Sequence, residues 1–355
     1  MANQTKQRAL VFGAGRVADW YLNIFFPDLA DRCEAVGLVD VNREALRSYG
    51  EPRGLWPHAC YDSIDAAFAA VDAGDLEPTC AFVVLPPEVH YEAVAGCMKR
   101  GIPVLTEKPL SDDLAECLAI EAALEPSHRV AVMQNYRHSE GVRAARKLVA
   151  VGAIGRPHAV SLRFRTDYRE FGSWDGPARH EVPHPILLDA AVHHLDLLRF
   201  VSGKEFESLV CDEWVPSGVT SFAGGCCVNL MARMTDGVRA TYEASVVGAG
   251  EPRSWTGEEI RVEGELGALH VIGPRLWTER LEDGELVKEE VALEPMRYHH
   301  HMQAIVDFLD WIEGGDVEVP TVPDNLGSLR AMFAAVRSAK DGAWVRLDTL
   351  GPDAA

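Results

Sequence analysis

Residues 9–18 read ALVFGAGRVA, an apolar run that leads directly into a glycine-rich turn. A second apolar stretch begins at Val17 and predicts a helix, and Asp40 follows the next apolar run, residues 34–39. Small residues are required where a backbone turns tightly and approaches a pyrophosphate at a helix N-terminus. An acid about 20 residues further on accepts hydrogen bonds from a ribose. The stretch therefore predicts a strand, a turn and a helix that bind a dinucleotide.

The predicted cofactor is NAD. A carboxylate at Asp40 would repel the 2′-phosphate that distinguishes NADP from NAD. Arg43, three residues later, could reach such a phosphate, which keeps NADP as the less favoured alternative. The cofactor-binding residues predicted in this region are Gly13, Gly15, Arg16, Val17, Asp40 and Arg43.

The hydrophobic pattern changes between about residue 133, where the first pattern ends, and about residue 150, where a second one begins. Before this change, short continuous apolar runs alternate with helical patterns, which is typical of a parallel sheet covered on both faces. After it, residues 159–168 alternate in polarity, and Asp-Gly pairs at 236–237 and 283–284 indicate hairpin turns. We predict an α/β, doubly wound parallel sheet of the Rossmann type in residues 1–134 and an α+β domain with a large, open, mostly antiparallel sheet in residues 135–355. The helices predicted in the second domain span residues 187–201, 299–313 and 325–340.

The composition is typical of a folded, acidic protein. Of 355 residues, 47% are apolar, and 34 Lys+Arg against 54 Asp+Glu give a net charge of −20. That charge repels nucleic-acid backbones and anionic lipids, and no apolar run approaches the length of a membrane span. Eight scattered cysteines, with no Cys-x-x-Cys pair, indicate thiols in a reducing compartment. We therefore expect a cytoplasmic protein without nucleic-acid or membrane partners.

Glu107 and Lys108 are the first candidates for proton transfer. They follow the strand predicted at 103–106, at the carboxyl edge of the parallel sheet, where such sheets bind ligands. Pro109 restricts Lys108 to an extended backbone and permits a cis peptide bond. The alternative interpretation is an ordinary Glu-Lys pair in a surface loop.

The second candidate is a helix pattern in residues 184–198. Asp189 and His193 are four residues apart and therefore share a helix face, with Asp196 three residues further along. A histidine beside a carboxylate suits proton transfer, and it is also a common structural ion pair. No metal site is predicted, because the adjacent His193 and His194 point about 100° apart on a helix and lack further ligands at supporting spacing.

The order and spacing of seven features carry a family resemblance. They are GAGRVA at 13–18, Asp40, VVLPPEVHYEAV at 83–94, TEKPL at 106–110, NYR at 135–137, VGAIGRP at 151–157 and LLDAAVHHLDLLRFVSG at 187–203. Together they resemble the glucose-fructose oxidoreductase / inositol dehydrogenase (Gfo/Idh/MocA) family over nearly the whole chain. The chain departs from the usual pattern at Ala191, where glycine is common, and at His194, where aspartate is common.

The resemblance implies a catalytic set of Lys108, Asp189 and His193. It also implies a cofactor site that is extended by Leu85, Pro86, His90, Glu107, Lys108 and Asn135. Members of the family often form dimers or tetramers through the open face of the second sheet, so we expect a homodimer or homotetramer.

We therefore expect an NAD(H)-dependent dehydrogenase or reductase that acts on a secondary alcohol of a sugar, sugar derivative or cyclitol. Lys108 or His193 would take the hydroxyl proton, and Asp189 would orient the substrate and the imidazole. The predicted substrate-binding residues are Lys108, Arg137, Arg165, Asp189, His193 and His194. Two alternatives stay open: an NAD-dependent glycoside hydrolase that uses transient redox chemistry, and a non-catalytic, NAD-responsive regulator. Residues 178–184 receive no assignment.

Overall fold

The structure, a computed structural model, describes residues 6–351. The described chain forms two compact units. One comprises the chain up to Gln134 together with His301–Asn325, and the other comprises Asn135–His300 together with the chain from Leu326 onward. The sequence pattern does not predict the return of residues 301–325 to the first unit.

The first unit contains a six-stranded parallel sheet in the order β3-β2-β1-β4-β5-β6. Its strands are β1 (Gln7–Phe12), β2 (Cys33–Val39), β3 (Cys60–Tyr61), β4 (Cys80–Val83), β5 (Val104–Thr106) and β6 (Val130–Val132). Every residue of β4, β5 and β6 is buried, as expected for strands covered on both faces. The predicted doubly wound parallel sheet is confirmed. The sequence does not predict β3, because two residues are too few to show a periodic pattern.

Helices connect these strands. They are α1 (Arg16–Trp20) and α2 (Phe26–Asp28), which a wide π-type turn at Tyr21–Phe25 joins, followed by α3 (Arg43–Gly50), α4 (Ile64–Ala73), α5 (His90–Lys99) and α6 (Leu114–Ala122). The side chains of Asn42, Ser63 and Asp113 accept backbone N–H bonds at the starts of α3, α4 and α6. Such caps satisfy donors that the helix itself leaves unpaired.

The second unit contains a nine-stranded sheet in the order β14-β13-β12-β11-β7-β10-β9-β8-β15. Its strands are β7 (Pro157–Arg165), β8 (Phe206–Trp214), β9 (Cys227–Met234), β10 (Arg239–Ser245), β11 (Glu258–Gly264), β12 (Gly267–Ile272), β13 (Arg275–Glu282), β14 (Glu285–Glu290) and β15 (Val345–Arg346). β7 and β10 are parallel, and the other neighbouring strands are antiparallel. The mostly antiparallel second sheet is therefore confirmed.

The two faces of the second sheet differ in polarity. Along β7, Val160, Leu162 and Phe164 are buried, whereas Arg163 and Arg165 on the opposite face are exposed. This alternation arises because successive side chains of a strand point to opposite faces of the sheet. The helices of this part are α7 (Glu140–Ala150), the short α8 (Ala178–Glu181) and α9 (Ala191–Ser202), and α9 packs against β7 and β10.

Two long helices, α10 (His300–Ile312) and α11 (Val322–Asp341), lie between β14 and β15 in the sequence. From His301 onward, α10 belongs to the first unit, where the Phe308 ring meets the Phe82 ring of β4 at 5.8 Å between centroids. Beyond α10, Val132 of β6 donates its N–H to the Pro320 carbonyl at 2.9 Å. Within residues 6–351, none of the helices combines the length and apolar character that crossing a membrane needs.

Candidate active site

The glycine turn between β1 and α1 has a backbone that only glycine suits. Gly13 adopts φ +109°, and a Cβ there would clash with the Val84 carbonyl oxygen. A Cβ on Gly15 would meet no atom within 4 Å, and both Gly15 and Arg16 are exposed at the start of α1. The turn is therefore closed on the protein side by Val84 and open at Gly15, the point where a pyrophosphate would approach.

Asp40 holds this turn to the end of β2. Its carboxylate accepts the Ala14 N–H at 2.6 Å and the Asn42 N–H at 2.8 Å. Arg43 is exposed, with its guanidinium 6.0 Å from the centre of the Trp56 ring. The turn at Gly13 and the carboxylate at Asp40 fit the pyrophosphate and ribose of a dinucleotide.

His90 connects two loops of the first unit. The imidazole is fully buried, with Nδ1 2.8 Å from the Pro109 carbonyl oxygen and Nε2 2.8 Å from the Leu85 carbonyl oxygen. Through this bridge, His90 fixes the 85–90 loop against the loop that carries Lys108. Because its ring is buried, His90 acts here by positioning its neighbours.

The Glu107 side chain is 11% exposed and precedes Lys108 in the sequence. The Tyr21 hydroxyl donates to Glu107 Oε1 at 2.9 Å, and His301 Nε2 lies 3.8 Å from the same oxygen. Burial raises the pKa of Glu107, since removal from water disfavours the charged form. Lys108 is half-buried at the carboxyl end of β5, and its peptide bond to Pro109 is cis.

In the second unit, Asp189 and His193 lie where a wide π-type turn, Ile186–Ala190, leads into α9. Turns of this kind are frequent at functional sites. The His193 imidazole stacks on the Tyr136 ring, with centroids 4.4 Å apart and planes 5° from parallel. The Tyr136 hydroxyl donates to the Trp255 carbonyl at 2.7 Å, so the ring that supports His193 is itself fixed.

The Asp189 carboxylate has a cationic neighbour. Arg179, from α8, donates from Nε to Asp189 Oδ2 at 2.5 Å. The Arg179 guanidinium lies 5.0 Å from the centre of the Trp255 ring. The residues around the Asp189–His193 pair are thus joined through Tyr136, Trp255 and Arg179.

Three of the predicted substrate-binding residues have partners within the second unit. Arg137 forms a buried two-bond ion pair with Asp196, Nε to Oδ2 at 2.5 Å and Nη2 to Oδ1 at 2.6 Å. Arg165 pairs with Glu243 on the exposed face of the sheet. The buried His194 ring lies 2.8 Å from the Tyr242 hydroxyl and 3.3 Å from Glu258. A further predicted residue, Asn135 of the cofactor set, is also buried.

Sequence reasoning misses Tyr136, Arg179 and Trp255. Tyr136 lies inside the NYR motif, so its position beside a predicted site residue is the one available signal. Arg179 belongs to the segment 178–184, which shows no periodic pattern. Within the described range, 6–351, no group of three or more His, Cys, Asp or Glu side chains is arranged to hold a metal ion.

Comparison with known sequences gives matches along most of the chain. Residues 7–136 match the GFO/IDH/MocA oxidoreductase family, NAD-binding Rossmann fold, and residues 142–270 match the GFO/IDH/MocA C-terminal domain. An uncharacterized protein of Sinorhizobium fredii, y4oX, is 31% identical over 353 residues, which cover 96% of this chain and 95% of the relative. The D-apiose dehydrogenase of Paraburkholderia graminis is 24% identical over 336 residues, which cover 91% of this chain and 86% of the relative.

Comparison with solved structures supports the same fold. An inositol dehydrogenase homolog from Azotobacter vinelandii, in complex with NADH and myo-inositol, superposes with a TM-score of 0.78. It shares 20% sequence identity, and the superposition covers 96% of this chain and 97% of that one. The chain belongs to the GFO/IDH/MocA family of NAD-binding oxidoreductases.

Proposed function

We propose that the protein is an NAD(H)-dependent dehydrogenase or reductase that acts on a secondary alcohol of a sugar, sugar derivative or cyclitol. The observation that carries the proposal is the position of Asp189 in the π-type turn and of His193 in the first turn of α9, with the imidazole stacked on Tyr136. A fixed imidazole one helical turn from a carboxylate suits proton exchange with a hydroxyl group. The relatives that act on D-apiose and bind myo-inositol support a polyhydroxylated substrate.

In this proposal, Lys108 and His193 are the two candidates for proton transfer, and Asp189 has an orienting role. Lys108 or His193 takes the proton of the substrate hydroxyl during oxidation and returns it during reduction. Asp189 accepts a hydrogen bond from the substrate and orients the imidazole. When bound, the nicotinamide ring supplies the hydride-transfer chemistry that side chains lack.

We propose NAD rather than NADP as the cofactor. The Asp40 carboxylate stands at the end of β2 and already accepts the N–H of Ala14 in the glycine turn. A 2′-phosphate placed beside this carboxylate would be repelled, whereas ribose hydroxyls can donate to it. An Asp40→Ser variant should bind NAD more weakly, and the ratio of its affinities for NAD and NADP should decrease. Titration with both cofactors measures the two affinities.

The test of the activity is a panel of sugars, polyols and cyclitols, each assayed for NADH formation with NAD and NADP in parallel. Lys108→Ala should lower kcat by about 100-fold or more on any active substrate, the usual range for an acid-base group. Lys99→Ala, an exposed lysine at the end of α5, is the matched control and should leave kcat unchanged. Near-normal turnover by Lys108→Ala would contradict the assignment.

The same panel separates the two alternatives. Cleavage of a glycoside without net NADH would favour a hydrolase that uses the cofactor transiently. Cofactor binding with no turnover on any compound, unaffected by substitution of Lys108, Asp189 and His193, would favour a regulator.

We also propose assembly into a homodimer or homotetramer through the open face of the second sheet. Met231 and Ile272 are exposed on this face, which also carries ion pairs such as Arg163–Glu259. Sedimentation velocity should detect the oligomer, and Met231→Glu should weaken it, because a charge in an apolar contact must be desolvated. A monomeric wild-type protein at micromolar concentration would contradict this part of the proposal.

A reducing, cytoplasmic location is part of the same proposal. All eight cysteines are free thiols, and seven of them are buried. Burial raises the pKa of Cys117 to about 12 and of Cys211 to about 12, which keeps both in the thiol form.

A further inference from the structure

Arg179 is a partly exposed cation next to a predicted catalytic carboxylate. Its Nε donates to Asp189 Oδ2 at 2.5 Å, and about a third of its side chain, 32%, remains exposed. The two predicted substrate-binding arginines are less accessible to a ligand at Asp189. Arg137 is buried in its pair with Asp196, and Arg165 pairs with Glu243 on the open face of the sheet. Arg179 is therefore the guanidinium of this region that a ligand at Asp189 can reach.

The two η-nitrogens of Arg179 are available as donors. Among residues 6–351, the hydrogen bond and ion pair of Arg179 both run through Nε to Asp189, and no protein partner takes Nη1 or Nη2. A guanidinium presents its donors as a planar fork that matches the two oxygens of a carboxylate. The guanidinium is therefore held at Nε by Asp189, and its Nη1 and Nη2 atoms can donate to a ligand.

Aromatic rings hold the guanidinium in place. Its central carbon lies 5.0 Å from the centre of the Trp255 ring and 6.0 Å from that of the fully buried Trp174 ring. Rings at these distances attract a cation and limit its motion. Because the Trp255 carbonyl also accepts the Tyr136 hydroxyl, the support of Arg179 and the support of His193 share one residue.

The charge of the region limits the ligand that fits. The protein has a net charge of −20, so an anionic substrate needs a local cation. Asp189 offsets part of the Arg179 charge, which suits a singly charged group better than a doubly charged phosphate. The planar arrangement of the Arg179 donors and the partial neutralisation of its charge by Asp189 therefore both favour a carboxylate.

We propose that Arg179 binds a carboxylate of the substrate through Nη1 and Nη2, and that the substrate class is a sugar acid, an aldonate or a uronate. This inference rests on the proposed function, which places Asp189 and His193 beside the substrate hydroxyl that reacts. It gives the segment 178–184 a role in substrate selection.

Binding to the full chain saturated with NAD tests the proposal without turnover. Isothermal titration would compare three matched pairs: D-gluconate with D-glucitol, D-glucuronate with D-glucose, and D-galacturonate with D-galactose. We expect at least one acid to bind about tenfold or more tightly than its neutral partner, the change expected for a charge-assisted pair of hydrogen bonds. D-glucose 6-phosphate is the fourth probe and should bind more weakly than that acid.

Two variants of Arg179 and one control complete the design. Arg179→Gln should abolish the preference for the acid, and Arg179→Lys, which keeps the charge without the fork, should retain part of it. Arg253→Gln is the matched control, because Arg253 is an exposed arginine that pairs with Glu170 at 2.9 Å. Thermal unfolding of each variant checks that the fold is intact.

The outcomes separate this inference from the proposed function. Equal binding of every acid and its neutral partner, or an unchanged preference in Arg179→Gln, would overturn the role of Arg179 even if neutral polyols are oxidised. Tighter binding of the phosphate than of every acid would overturn the carboxylate assignment. Acid binding that depends on Arg179, without NADH formation from that acid, would support the binding site and count against the dehydrogenase proposal.

Discussion

Replacement of Asp196 by asparagine should destabilise the second unit strongly. The Asp196 side chain is 1% exposed and receives two bonds from Arg137 and one from the Ser328 hydroxyl at 2.8 Å. Arg199 adds a second guanidinium, with Nη1 3.8 Å from the Asp196 carboxylate. Asp196→Asn would remove the negative charge that pairs with the buried Arg137, a loss that typically costs about 3–5 kcal/mol, whereas Arg199 would keep its two bonds to Glu205. For a domain of 150–250 residues, this corresponds to a decrease in Tm of roughly 6–20 °C.

The assay is thermal unfolding of the cofactor-free protein at pH 7, followed by circular dichroism. Asp348→Asn is the matched control, because Asp348 pairs with Arg346 on the surface, where the side chains are 61% and 70% exposed. Water and salt screen exposed pairs of this kind, so the control should leave the Tm nearly unchanged. If Asp196→Asn matched the control in Tm and instead raised the substrate KM, Asp196 and Arg137 would be substrate ligands and the reasoning would be refuted.

Three other predictions concern the glycine turn, the Glu107 carboxylate and the stack of His193 on Tyr136. Gly13→Ala should lower both Tm and NAD affinity because its Cβ clashes, whereas Gly15→Ala should keep the Tm and lose affinity by about tenfold or more, as calorimetry can show. Because burial raises the pKa of Glu107, the protonated side chain stabilises the fold at low pH, and this stability is lost as the pH rises and the side chain ionises. Glu107→Gln should therefore have a higher Tm than wild type above about pH 4.5, with a difference that grows with pH and is absent below that pH. Tyr136→Leu should lower kcat/KM about tenfold by removing the stack on His193, whereas Tyr136→Phe should keep most of the activity; equal effects would contradict a role for the ring.

The fold follows from patterns that are local in the sequence. Continuous apolar runs predict the strands of the parallel sheet, and the alternation around Val160, Leu162 and Phe164 predicts the open face of the second one. Both hairpins form at the predicted Asp-Gly pairs, where Asp236 and Asp283 have positive φ. These features depend on a few adjacent residues, so a single sequence is enough to predict them.

The site is only partly predictable, because its contacts are long-range. The helical spacing of Asp189 and His193 indicates one face, but nothing in the sequence joins Arg137 to Asp196, 59 residues later. Nor does any local pattern bring Arg179 to Asp189 through an irregular segment. The alternation along β7 does predict that Arg165 and its neighbour Phe164 point to opposite faces of the sheet, as the structure shows.

The return of the chain to the first unit affects the order in which the protein can fold during synthesis. Val132, on the edge strand of the parallel sheet, bonds to Pro320, and the buried Phe82 is covered in part by Phe308. A nascent chain that ends at residue 134 lacks both partners, although it contains the whole glycine turn. Domains usually fold from the N-terminus as they emerge, but this one cannot complete its core until the ribosome has passed residue 325. NAD binding should therefore appear late in synthesis, after residues 135–300 of the second unit have been made.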